Sequence, residues 1–189
     1  MSAQQTFHKR IVTAFAVVVM FSLPGIAQEA DLQDQKELLT QLSQSDEAKA
    51  KQIDRQLQAL WSKSGSATMD LLLKRGRDAM DVDDVTAAIE HLTALTDHAP
   101  DFAEGFHQRA SAYFRADLFG PAFWDLERAL SLNPNNYNAL FGLAAILETF
   151  GESERAYEAY GEVLALHPHH EEAKQARERL QKDVEGSSL

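Results

Sequence analysis

Two groups of side chains in this sequence have the types and spacing to do chemistry. The first is His167-Pro168-His169-His170; imidazoles are common ligands for zinc, copper and nickel, so His167, His169 and His170 are candidate metal ligands. The competing reading is a turn between helical units in which histidine has no ligand role. The second group is Asp81, Asp83 and Asp84. It starts like a calcium loop, but the glycine and the distant bidentate glutamate of such a loop are missing. A solvated turn is the better expectation, with Asp83 and Asp84 suited to the N-terminus of the following helix. Elsewhere there is no Gly-rich phosphate loop, no G-x-S-x-G and no H-E-x-x-H. The chain contains no cysteine, which excludes disulfides and thiolate catalysis. The expectation is a protein that is not an enzyme and uses no cofactor.

Composition narrows the class further. Among 189 residues the apolar fraction is 44%, enough to build a core. The net charge is −11, which argues against nucleic acid as a partner, because such binders need a basic face.

The dominant organising signal is a period of 34 residues. It links Pro100, Pro134 and Pro168; Gly76, Ala110 and Ala144; Ala88, Ala122 and Ala156; and the bulkier columns Leu72, Phe106, Leu140 and Leu92, Leu126, Tyr160. Ala79, Tyr113 and Leu147 form another. Each unit reads as two helices. In the central unit Phe106, Ala110 and Tyr113 share one face of a helix spanning about 103–115. Asp117 is placed to cap the next helix, Pro121 falls in its first turn, and Asn133-Pro134 ends it. The small columns let paired helices approach closely. No unit buries its apolar stripe alone, so neighbours must stack.

The two ends differ from the repeats. At the start, Lys9 and Arg10 precede an uncharged apolar run over 11–23; Pro24 and Gly25 then break any helix, and Ala27 offers a small residue for cleavage. This is the layout of a secretory signal peptide over 1–27 with the cut after Ala27, which predicts a periplasmic or external destination. An uncleaved anchor is the alternative, but a run of 13 residues is short of the ~20 that span a bilayer, and no stable membrane insertion is expected after cleavage. Without Lys9 and Arg10, 16 basic residues face 29 acidic ones, a net charge of −13. Residues 28–68 read as two helices, one with Leu38, Leu39 and Leu42, the other opening at Ser45-Asp46-Glu47 and carrying Ile53, Leu57, Leu60 and Trp61. They are expected to cap the first repeat; an oligomerisation coil is the competing reading, weakened by too few heptads. Residues 171–189, with Ala173, Ala176 and Leu180 amid charge, read as a C-terminal capping helix and tail.

This ladder resembles the tetratricopeptide repeat (TPR) family, with repeats over 69–102, 103–136 and 137–170. The central repeat matches best, while Ala79 and Leu95 in the first and Leu147, Ser153 and Val163 in the third depart from the family's preferences. The resemblance implies an all-α, right-handed solenoid whose first helices line a concave groove for another protein or a peptide. Carried over, the groove residues are Leu73, Arg77, Met80, His107, Ser111, Phe114, Arg115, Asn138 and Phe141, with Asp70, Glu104, Ala145 and Glu148 beside them. The arginines would grip a carboxylate, since guanidinium binds it bidentately. Against this, the phenylalanines could instead pack between repeats and the arginines pair with nearby acids. The Lys and Asn set of the chaperone-tail clamp is not matched. Trp124, expected near the convex face, would serve a homodimer or another partner. The resemblance further implies an adaptor or scaffold in envelope assembly or protein quality control.

Overall fold

The computed structural model describes residues 24–187, so most of the predicted signal peptide lies outside the described residues. Those described form nine α-helices and no strands: α1 (Pro24–Gln44), α2 (Glu47–Trp61), α3 (Ala67–Asp81), α4 (Val85–His98), α5 (Ala103–Arg115), α6 (Phe119–Leu132), α7 (Tyr137–Thr149), α8 (Ser153–Leu166) and α9 (Glu171–Ser187). Among them no helix is long and apolar enough to cross a membrane. Helices α3–α4, α5–α6 and α7–α8 are the three expected antiparallel pairs, and α9 packs on α8. The helix break expected at Pro24 and Gly25 falls at the edge of the described residues, which open in helix at Pro24.

The proline column works as the sequence predicts. Ala99, Asn133 and His167, each before a proline, close α4, α6 and α8 with φ of −132°, −137° and −132°, the extended conformation that proline imposes on its predecessor. The turns inside each pair use a different device. Asp83, Asp117 and Gly151, again 34 apart, all lie in the left-handed region, with φ of 60°, 57° and 79°. Asp117 therefore does not cap α6; that place is taken by Leu118, which makes no side-chain cap bond. Asp84 does cap α4 by accepting from Ala87 N, and Asn136 caps α7 by accepting from Asn138 N and Ala139 N.

The small column also behaves as expected. A Cβ added to Gly76 would lie 2.5 Å from Leu92 Cγ, and Leu92 is fully buried. The first repeat thus packs α3 on α4 more closely than an alanine allows.

The N-terminal helices depart from expectation. They do not cap the first repeat. Leu42, Ala50, Ile53, Leu57 and Trp61 instead share one apolar cluster with Tyr137, Leu140, Tyr160, Ala173 and Leu180, from the third repeat and α9. Trp61 meets Tyr137 edge-on at 5.2 Å, and the Tyr137 hydroxyl donates to Asp54 Oδ1 at 2.5 Å. His169 Nε2 lies 2.9 Å from the Ser45 carbonyl. Trp61 Nε1 donates to Gln35, which in turn donates to Asn133. The hairpin α1–α2 is thus a strap along the edge where α5, α7 and α9 begin. The first repeat's own cluster of Leu73, Ala88, Leu92 and Leu95 is completed instead by Ala112 from α5.

Candidate functional site

The first helices of the units bring α5 and α7 side by side, and between them lies a cavity of about 240 Å³ lined by His107, Ala110, Ser111, Phe114, Leu126, Asn138, Phe141, Gly142 and Ala145. His107, Ser111 and Phe114 come from α5 at the spacing of one helix face. Asn138, Phe141 and Ala145 supply the facing side from α7 by the same rule. Small residues make the depth: a Cβ on Gly142 would already stand 3.2 Å from Leu126. Five of the nine sequence-predicted groove residues, His107, Ser111, Phe114, Asn138 and Phe141, therefore line one space. Phe114 remains 38% exposed, as an apolar docking surface requires. It is steadied edge-on by Phe119 at 5.3 Å.

Four expected residues are placed elsewhere. Leu73 is 2% exposed and belongs to the core of the first repeat, with Met80 packed against that core. Arg77 is committed to Glu104 and to the Ser62 hydroxyl. Arg115 donates to the Met80 carbonyl at 2.6 Å and lies 3.7 Å from Asp83. Neither arginine stands free for a ligand carboxylate. Both occur in a strongly acidic chain, where a nearby carboxylate is available to each.

Glu104 is the electrostatic centre of the wall. It is buried, and receives Arg77, Gln108 and the His107 Nδ1–H. Burial pushes its carboxyl up, but His107, Arg77 and Gln108 outweigh that and hold its pKa below the ordinary value. An ionised Glu104 accepts from His107 Nδ1, which leaves Nε2 uncommitted in a cavity that His107 helps to line. The site thus offers an apolar seat with an imidazole, a hydroxyl (Ser111) and a carboxamide (Asn138) at its margin. It can hold a side chain and hydrogen-bond a backbone. Deep behind it, Arg109 bridges Asp125 with two bonds of 2.6 and 2.8 Å and donates to Thr96, which locks α5 to α6 and α4.

The histidine cluster does not gather its nitrogens. His169 turns to Ser45 on the strap. His170 Nδ1 accepts from Ala173 N at the start of α9. His167 is buried edge-on against Tyr137, with ring centroids 5.1 Å apart. Among the described residues no group of three His, Cys, Asp or Glu is arranged to hold a metal ion, so the predicted metal triad is replaced by three local contacts. Asp83 occupies the left-handed turn position and Asp84 caps α4, which explains that acidic run without an ion. Trp124 is 71% exposed on α6. The Asp54–Tyr137 bond, by contrast, joins residues 83 apart in sequence, and no periodicity announces it.

Comparison with known proteins gives the class of protein that this stacking defines. The tetratricopeptide repeat family profile matches residues 126–158. A TPR repeat-containing protein of Rhizobium etli is 31% identical over 133 residues, covering 70% of this chain and 65% of that protein. The protein SGT1 homolog of Homo sapiens is 32% identical over 102 residues, or 49% of this chain and 28% of that one. The chain spans less than two thirds of the length of these curated relatives. Among solved structures, the first TPR of Spaghetti (RPAP3) bound to HSP90 peptide SRMEEVD superposes with a TM-score of 0.60 at 27% identity, over 61% of this chain and 92% of that one. MamA superposes with a TM-score of 0.58 at 28% identity, over 61% and 68%. The chain thus has the fold of a tetratricopeptide repeat solenoid and is similar in sequence to proteins that carry this repeat.

Proposed function

We propose that this protein is a non-enzymatic interaction module, an adaptor or scaffold exported to the periplasm, which receives an extended segment of another protein in the groove between α5 and α7. The observation that carries the reading is the open apolar cavity flanked by Phe114 and Phe141. At about 240 Å³ it is smaller than the ~300–1,000 Å³ of small-molecule pockets and suits one or two side chains. A similar repeat domain holding a peptide supports the same use. Envelope assembly or protein quality control is the process such an exported adaptor would serve.

The test is site-specific photo-crosslinking in the native host. A benzophenone side chain at Ser111 is expected to capture a partner that the same group at Trp124 does not. Capture at Trp124 alone would move the binding surface to the convex face and refute the groove.

A further inference from the structure

The apolar cavity does not end blindly. Asn138 and Phe141, which line it, also line a more polar recess of about 490 Å³ between α2, α7 and the start of α9. That recess carries the carboxylates of Asp54, Glu171 and Glu172 and a single ammonium, Lys51. The ammonium is already held by Glu47 at 2.6 Å. Among the described residues no lysine or arginine forms an ion pair with Asp54, Glu171 or Glu172; Glu172 has only His170 Nδ1, at 3.4 Å. His167 and His170 do little to offset this charge, because burial disfavours their protonated forms. Arg77 is neutralised by Glu104, and Arg115 faces Asp83. An apolar seat therefore adjoins an unbalanced negative one, in a chain whose net charge is −11.

The recess also suits a flat cation. Its aromatic wall is closed on itself: Phe141 and His170 stack with ring centroids 4.9 Å apart, and Tyr160 packs on Phe141 at 5.5 Å. The carboxylates beside that wall match a guanidinium's fork of donors. Asn138, lining both spaces, offers a carboxamide donor and acceptor to a backbone passing between them.

Resting on the reading of the groove as a peptide seat, we propose that the partner segment is apolar and basic. An apolar side chain enters the cavity between α5 and α7, and an arginine or lysine two positions on enters the recess of Asp54, Glu171 and Glu172. In an extended segment residues i and i+2 point the same way, about 7 Å apart, so one short strand serves two adjoining spaces. This reverses the carboxylate ligand that Arg77 and Arg115 suggest in the sequence.

The test uses the full chain and three fluorescein-labelled peptides, SGSLSRSGS, SGSLSESGS and SGSGSRSGS, with binding read by fluorescence anisotropy. The first is expected to bind at least about ten-fold more tightly than either other, and to weaken as salt rises from about 50 to about 300 mM. The double variant Glu171→Gln, Glu172→Gln changes two exposed side chains; it should lose most of that preference, weakening the arginine peptide and, if anything, tightening the glutamate peptide. Ala145→Phe, checked for unchanged helical circular dichroism, fills the cavity and should abolish binding of both leucine peptides. If the glutamate peptide binds as well as the arginine peptide, or the double variant changes nothing, the basic partner is overturned and the groove reading stands. If neither leucine peptide binds, or Ala145→Phe leaves their binding intact, the groove reading falls and this inference with it.

Discussion

Gly151 shows how much one backbone position can carry. It shares the left-handed turn column with Asp83 and Asp117, yet a Cβ there would meet nothing within 4 Å. Gly151→Val therefore isolates the backbone effect from packing, and should cost about 1–2 kcal/mol, read as a lower urea midpoint by circular dichroism. The sequence columns that repeat every 34 residues did not include this one, because two aspartates and a glycine share no obvious type; Asp117 invited a capping reading that its left-handed backbone does not fit. The groove residues divide along a similar line. His107, Ser111, Phe114, Asn138 and Phe141 follow from the family resemblance, which holds for them because their helices pack as the repeat dictates. The fate of Arg77 and Arg115 depends on which acceptors fold against them, Glu104 for one and the Met80 carbonyl for the other. Side-chain pairing of that kind has no period.

Among the elements, the strap is the one that sequence patterning could not locate. Ile53, Leu57 and Trp61 marked an amphipathic helix correctly, but any apolar surface of the stack would satisfy that stripe. Its seat is chosen by single polar bonds, Asp54 with Tyr137 and Ser45 with His169. Tyr137→Phe removes one of them and leaves a half-buried carboxylate without that donor, at a cost of about 1 kcal/mol. Hydrogen exchange should quicken across 47–61 while α3–α6 keep their protection; uniform quickening would deny the strap its separate seat. The turn leading into α9 adds a pH dependence. His167 and His170 have pKa values lowered by burial in the fold, so as pH falls through the ordinary imidazole value of about 6.5 the unfolded chain takes up protons that the folded chain refuses. Facing carboxylates at Asp54 and Glu172 oppose the shift without reversing it. Stability should decline from pH 7 toward pH 5.5, and His167→Phe should flatten that slope in urea titrations.

For the molecule as a whole, the proposed export sets a covalent prediction. Expressed in a Gram-negative host, the mature chain should begin at Gln28, which intact-mass measurement decides; a mass that retains residues 1–27 would contradict processing there. That cut falls within α1 (Pro24–Gln44) and would leave the rest of the strap in place, including Leu42, Gln35 and their contacts. The overall architecture was the most legible level, since several columns repeat in register and each demands the same pair of helices.

The strap also gives the chain a direction in time. Its partners, Tyr137, His169, Ala173 and Leu180, lie a hundred or so residues downstream of α2, whereas every other helix docks mainly on an immediate neighbour. At about 5–20 residues per second a ribosome needs roughly 5–20 s to produce them. For that interval Ile53, Leu57 and Trp61 have been synthesised but have no surface to cover them. The segment made first among the described helices is seated last, and its long loop closure slows the final step. A nascent chain stalled before α7 is thus a stack of paired helices with an unattached, sticky leading hairpin, and only synthesis of the third repeat and α9 hides it.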